Sequence, residues 1–139
     1  MSGTSNDVQA LGDEKLEALV EVMFLAAAAD GEFSDAEKRH FVKSVESLTD
    51  GRIAHARLES LVNEAAELLD RDGRDARLAA VKARLPEQNV RRIALSLAIQ
   101  VTAADGIIRT SERELILETA EALEIDRDVA ADLVKELTR

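Results

Sequence analysis

Apolar residues recur with a helical period along this chain, and no segment alternates as a strand does. In the first periodic stretch Leu16, Leu19, Val20, Met23, Phe24 and Ala27 fall on adjoining faces, and Val22 to Ala29 is apolar throughout. Coverage that goes most of the way round marks a helix enclosed by its neighbours. The pattern predicts a first helix from a cap at Asp13 to about Ala29. Asp30-Gly31 closes it, because glycine reaches the left-handed backbone that ends helices. Ser34-Asp35-Ala36-Glu37 reads as a capping box, in which Ser34 and Glu37 each satisfy a backbone N–H of the other. The second helix runs to about Leu48 with Phe41, Val45 and Leu48 inward, and stops at Asp50-Gly51.

A third helix fits about Ala54 to Leu69, carried by Leu58, Leu61, Val62, Ala65 and Leu68, and Asp72-Gly73 breaks it. A short fourth, about Asp75 to Leu85, shows Leu78, Val81 and Leu85. Pro86 is expected in the first turn of the fifth, where a missing N–H costs nothing. That helix is again apolar nearly all round, through Val90, Ile93, Ala94, Leu97, Ala98, Val101 and Ala104, and ends at Asp105-Gly106. Thr110 or Ser111 caps a sixth with Leu115, Ile116, Ala120 and Leu123. Asp126 caps the last, with Val129, Leu133, Val134 and Leu137. The expectation is an all-α domain of about seven helices over residues 13–138, preceded by a flexible, polar tail at 1–12.

The two enclosed helices end in the same tetrapeptide. Ala28-Ala29-Asp30-Gly31 returns 75 residues later (30 to 105) as Ala103-Ala104-Asp105-Gly106, and each Asp is followed at the same distance by a Glu, Glu37 and Glu112. At that offset Val20 meets Leu95, Val22 Leu97, Phe24 Ile99 and Ala26 Val101. Beyond the turn Phe33 meets Ile108, Phe41 Ile116 and Leu48 Leu123. Apolar matching apolar through two helices points to one helix–turn–helix unit present twice. A pseudo-twofold stack of the two would bury faces that neither buries alone.

Composition adds direction. The formal net charge of −10 disfavours nucleic acid, which requires Lys and Arg against phosphates, and favours cations or basic partners. There are no cysteines, so no thiol chemistry, and no apolar run near the length that spans a bilayer. With no cleavable leader evident, a cytoplasmic protein that is not integral to a membrane is expected.

Asp-Gly-x-(apolar)-x-x-x-Glu corresponds to the second half of an EF-hand calcium loop. The first half is missing. Ala26 and Ala28 in one copy, Val101 and Ala103 in the other, stand where ligands belong, so neither turn is a self-sufficient EF-hand. Two half-sites facing one another would still gather Asp30, Glu37, Asp105 and Glu112. With waters that set suits a hard divalent cation, and the pattern leaves Ca, Mg, Mn and Zn undistinguished. Against this stands pure capping, in which Asp and Gly end helices and Glu begins them. Capping accounts for Glu37 through Ser34. Arg109 in the second turn cannot act as that Ser does, and if Ser111 is the cap then Glu114 completes its box, leaving Glu112 without that duty.

The repeated Ala-Asp-Gly turn with its trailing Glu, the register around it, and Ile125-Asp126-x-x-Val129 resemble the TerB family. These are the tellurite-resistance-associated TerB proteins, with the TerB-like domain of the DjlA co-chaperones as a relative. The resemblance covers about Lys15 to Leu137. It implies an all-α, internally symmetric, metal-binding domain, with Asp30, Glu37, Asp105 and Glu112 as the acidic positions. It also implies a cytoplasmic stress-response role, in complexes with other stress-response proteins near the inner membrane face. Arg109 departs from the pattern by placing a cation beside the second turn.

Nothing else carries chemistry so directly. His40 and His55 lack a second His or Cys at ligand spacing and read as surface histidines. The glycines stand singly at helix ends, so there is no phosphate loop, and no nucleophilic triad stands out. Arg71 to Arg77 reads as a solvated linker and helix face. The expectation is therefore non-enzymatic, monomeric or weakly dimeric. It is either a cation-binding sensor or scaffold, or a metal-free helical interaction module.

Overall fold

The two helices with the broadest apolar coverage pack against each other in the computed structural model of the chain, the second keeping Arg92, Ser96 and Gln100 toward solvent. The structure describes residues 11–28, 34–103 and 109–138. Helix α1 (Asp13–Ala27) and helix α5 (Gln88–Thr102) make the most extensive helix–helix contact in the molecule. Everything in α1 from Ala18 to Ala26 is buried, along with Leu16; α5 buries Val90, Ala94, Leu95, Val101 and the run Leu97 to Ile99. Helix α2 (Asp35–Leu48) packs on α3 (His55–Asp72) and reaches α5. Helix α6 (Thr110–Ala122) packs on α7 (Arg127–Leu137) and reaches α1. Helix α4 (Arg74–Arg84) lies on α1, α3 and α6. Among the described residues the result is an all-α single domain of seven helices with no strand.

Helix ends follow local chemistry, with differences from expectation. Ser34 and Asp126 cap α2 and α7 as their sequences predict, Asp126 Oδ1 accepting from Asp128 N–H at 2.8 Å. Asp13 is not a cap. Gly12 holds that position, and Asp13 lies in the first turn, 3.2 Å from the Arg52 guanidinium. Pro86 precedes α5 instead of opening it, because Glu87 is the cap residue. Helix α3 outlasts its apolar pattern as far as Asp72 and stops only at Gly73, whose φ of 86° favours glycine. Helices α2 and α6 end alike. Asp50 and Glu124 take left-handed φ of 52° and 58°, while Gly51 N–H returns to the Glu46 carbonyl and Ile125 N–H to that of Ala120, both at 2.9 Å.

The segment expected to be a solvated linker is exposed at Arg71, Asp72, Gly73 and Asp75, but Arg74 and Arg77 turn inward. Arg77 forms a two-pronged pair with Glu21 (Nε–Oε2 2.7 Å, Nη2–Oε1 3.0 Å), and their side chains are 12% and 7% exposed. Glu21 is the one charged residue buried in α1. The hydrogen bonds to Glu21 raise the Arg77 pKa above the ordinary arginine range. Arg91 likewise gathers helix ends, donating to the carbonyls of Lys82, Leu85 and Leu123 and so joining the end of α4 to that of α6.

A buried pair broken on one side leaves an uncompensated charge. Arg77→Ala should therefore lower stability to urea by about 3 kcal/mol, and replacing both Glu21 and Arg77 by Leu should recover most of that loss. On the surface, the hydrogen bond that His55 Nδ1 donates to the Glu46 carboxylate, at 2.9 Å, is the main cause that raises the His55 pKa above 6.5. That stabilisation is present at low pH and lost as pH rises through the folded-state value. An NMR titration should place His55 above 6.5, and Glu46→Gln should bring it down.

Candidate functional site

The described borders of the two Asp-Gly turns match in geometry. Helix α1 ends with Ala28 N–H on the Phe24 carbonyl and α5 ends with Ala103 N–H on the Ile99 carbonyl, both at 2.8 Å. The two cap residues share a backbone conformation, φ/ψ of −90°/43° and −102°/48°. On the far side Ser34 and Arg109 are both extended, at −67°/163° and −83°/160°. Asp30 and Asp105 lie outside the described residues.

Glu37 completes the capping box, with Ser34 N–H donating to its Oε1 at 2.8 Å and its own N–H donating to Ser34 Oγ at 3.1 Å. The expectation that Glu112 lacks a capping duty is overturned. Arg109 is the cap residue, and its N–H donates to Glu112 Oε1 at 2.9 Å. The reciprocal bond has no counterpart, because a guanidinium carries donors only. Arg109 Nη1 instead lies 3.6 Å from the same carboxylate oxygen.

Glu37 and Glu112 line one cleft of about 320 Å³. Ala27 and Thr102, ends of the two central helices, line it as well. Both pairs, Ala27 with Thr102 and Glu37 with Glu112, are related by the 75-residue offset. Phe41 and Val101 supply an apolar wall, the Phe41 ring standing edge-on to Phe24 with centroids 6.2 Å apart. Ala36 and His40 complete the lining. His40 was readable only as a surface histidine. Its place three residues after Glu37 on a helix puts the two on one face, and that spacing was the available signal.

Each glutamate is held by one oxygen. Oε1 accepts a backbone N–H in both, while among the described residues no hydrogen bond or ion pair engages either Oε2. The cleft thus offers two carboxylate oxygens whose direction is already fixed, and an imidazole. Hard oxygen donors suit a hard divalent ion, but such an ion takes about six to eight. Among the described residues no three His, Cys, Asp or Glu side chains are grouped to hold a metal.

A cation stands beside the first turn. Arg74 donates to the Leu25 carbonyl and, at 3.3 Å, to that of Ala28. It thereby satisfies helix-end carbonyls at the negative end of the α1 dipole. Burial lowers its pKa.

Compared with protein-family models, curated proteins and solved structures, the chain matches none. No helix among the described residues is long and apolar enough to cross a membrane.

The unequal caps give a stability prediction. Ser34→Ala removes an acceptor from a backbone N–H and should cost about 1 kcal/mol in thermal or urea unfolding. Arg109→Ala removes only an exposed ion pair and should cost roughly half a kcal/mol or less.

Proposed function

We propose that this chain is a non-enzymatic, TerB-like stress-response module that binds a divalent cation between its two Asp-Gly turns and acts as a sensor or scaffold in a protein complex. One observation carries the reading: Glu37 and Glu112, each oriented by its own turn, line a single cleft. In this proposal the two helix–turn–helix units are related by a pseudo-twofold axis through that cleft. The matched bounds of α1 and α5, and the matched pairs lining the cleft, support it. Asp30 and Asp105 supply the remaining carboxylates, and the ion is Ca, Mg, Mn or Zn. The same proposal places the protein in the cytoplasm, as a monomer or weak dimer, among other stress-response proteins near the inner membrane face. Its net charge of −10 argues against nucleic acid as a ligand.

A second reading is favoured by a specific observation. One oxygen of each glutamate already serves as a cap, so the acidic turns also make sense as architecture in a metal-free interaction module.

Glutamine separates the two readings, since it still accepts the capping hydrogen bond but carries no charge. An ion at about 100 times its dissociation constant should stabilise the wild-type chain by about 2.7 kcal/mol over EDTA in a thermal melt. Glu37→Gln with Glu112→Gln, and separately Asp30→Asn with Asp105→Asn, should abolish that gain while the glutamine pair leaves the melt in EDTA nearly unchanged. If Ca²⁺, Mg²⁺, Mn²⁺ and Zn²⁺ all leave the wild-type melt where EDTA leaves it, cation binding is rejected and the second reading stands.

A further inference from the structure

A second depression, of about 480 Å³, runs between α6 and α7 and shares no lining residue with the Glu37–Glu112 cleft. Its floor is apolar, made by the half-buried Leu117 over the buried Ala120, Ile125 and Ala130. Its rim is acidic. Glu114, Glu118 and Glu121 follow one another at single-turn spacing along α6, all exposed, and among the described residues Arg127 is the one cation that lines it. Among the described residues none of the three glutamates belongs to an ion pair, and Glu118 acts on Arg74 only through its longer-range charge.

Two of the three rim carboxylates are not shared by the equivalent helix. At the 75-residue offset the positions of Glu114, Glu118 and Glu121 on α2 hold Arg39, Lys43 and Glu46, while those of Leu117 and Ala120 hold Val42 and Val45. Two floor positions stay apolar while those of Ile125 and Ala130 hold Asp50 and His55, and two of the three rim positions change sign while the third keeps its carboxylate. Helix α6 also carries no basic residue in its last turn, where a cation would be favoured by the helix dipole.

We propose that this groove docks a basic amphipathic helix of a partner protein, its lysines or arginines meeting the three glutamates and its apolar face covering Leu117. The commitment to a basic partner rests on charge complementarity, since an apolar floor sets affinity and a rim of three carboxylates against one guanidinium selects a cationic partner.

The probe is a fluorescein-labelled amphipathic peptide, with lysines along one face and leucines along the adjoining one, followed by anisotropy in EDTA at physiological salt. EDTA keeps any cation out of the other cleft, so failure of the cation proposal leaves this test intact. Saturable binding is expected. Glu114→Arg with Glu118→Lys, which imitate residues α2 tolerates, should weaken it by about tenfold or more with an unchanged melt. Replacing the peptide leucines by serine should weaken it comparably, which keeps the test decisive even if the double variant folds poorly. Equal binding by the double variant or by the serine peptide overturns the proposal. So does self-association of the wild-type chain, read by sedimentation, that the double variant removes, because a second copy is then the occupant.

Discussion

The fold depends on one necessity. Helix α1 from Ala18 to Ala26 is wholly buried and the broad apolar side of α5, opposite its Arg92, Ser96 and Gln100 stripe, is its main cover. Burial of that kind is non-directional and rewards any arrangement that removes the area from solvent. Specificity therefore has to come from the few polar groups admitted alongside. Glu21 is one, tied to Arg77 in two prongs and thereby fixing how α4 sits on α1. Arg91 is another, holding carbonyls from the ends of α4 and α6 at a single guanidinium.

The candidate cleft follows from the same arrangement. The ends of the packed helices α1 and α5, Ala27 and Thr102, reach one cleft, and the helices that follow, α2 and α6, begin beside it. A glutamate in the first turn of each then lies at its wall. Capping and ligand presentation are not rivals at the level of a single carboxylate. Fixing one oxygen on a backbone N–H removes the rotational freedom that a ligand would otherwise have to restrain.

Much of this was legible in the sequence, and the exceptions have physical causes. The seven helices of the described residues and the nearly all-round burial of α1 were legible from spacing, since a period of 3.6 with broad apolar coverage marks a helix that must be covered. Ser34 with Glu37 was legible because a capping box has a fixed register. The role of Glu112 was not, since a capping box is recognised by its Ser or Thr, and the backbone N–H of Arg109 that Glu112 accepts leaves no mark in sequence. The left-handed end of α6 at Glu124 was equally silent, because no glycine marks it; the closing bond from Ile125, itself buried, supports a conformation that a glutamate would otherwise avoid. Arg74 and Arg77 misled through composition. A run of alternating charges looks solvated, and only the tertiary approach of α4 to α1 brings two of its arginines onto Glu21 and the carbonyls of Leu25 and Ala28.

The central α1–α5 contact also bears on descent. If the two units arose by duplication, a chain carrying only one of them had an α1 that was apolar on nearly every face and no α5 to cover it. The same surface on a second copy is the natural cover, which describes an isologous homodimer with its twofold axis at the helix crossing. Joining the two copies end to end would preserve that interface while releasing each half from identity with the other. The opposite charges of Arg39 and Glu114, and of Lys43 and Glu118, are differences that a symmetric dimer of identical chains could never have acquired.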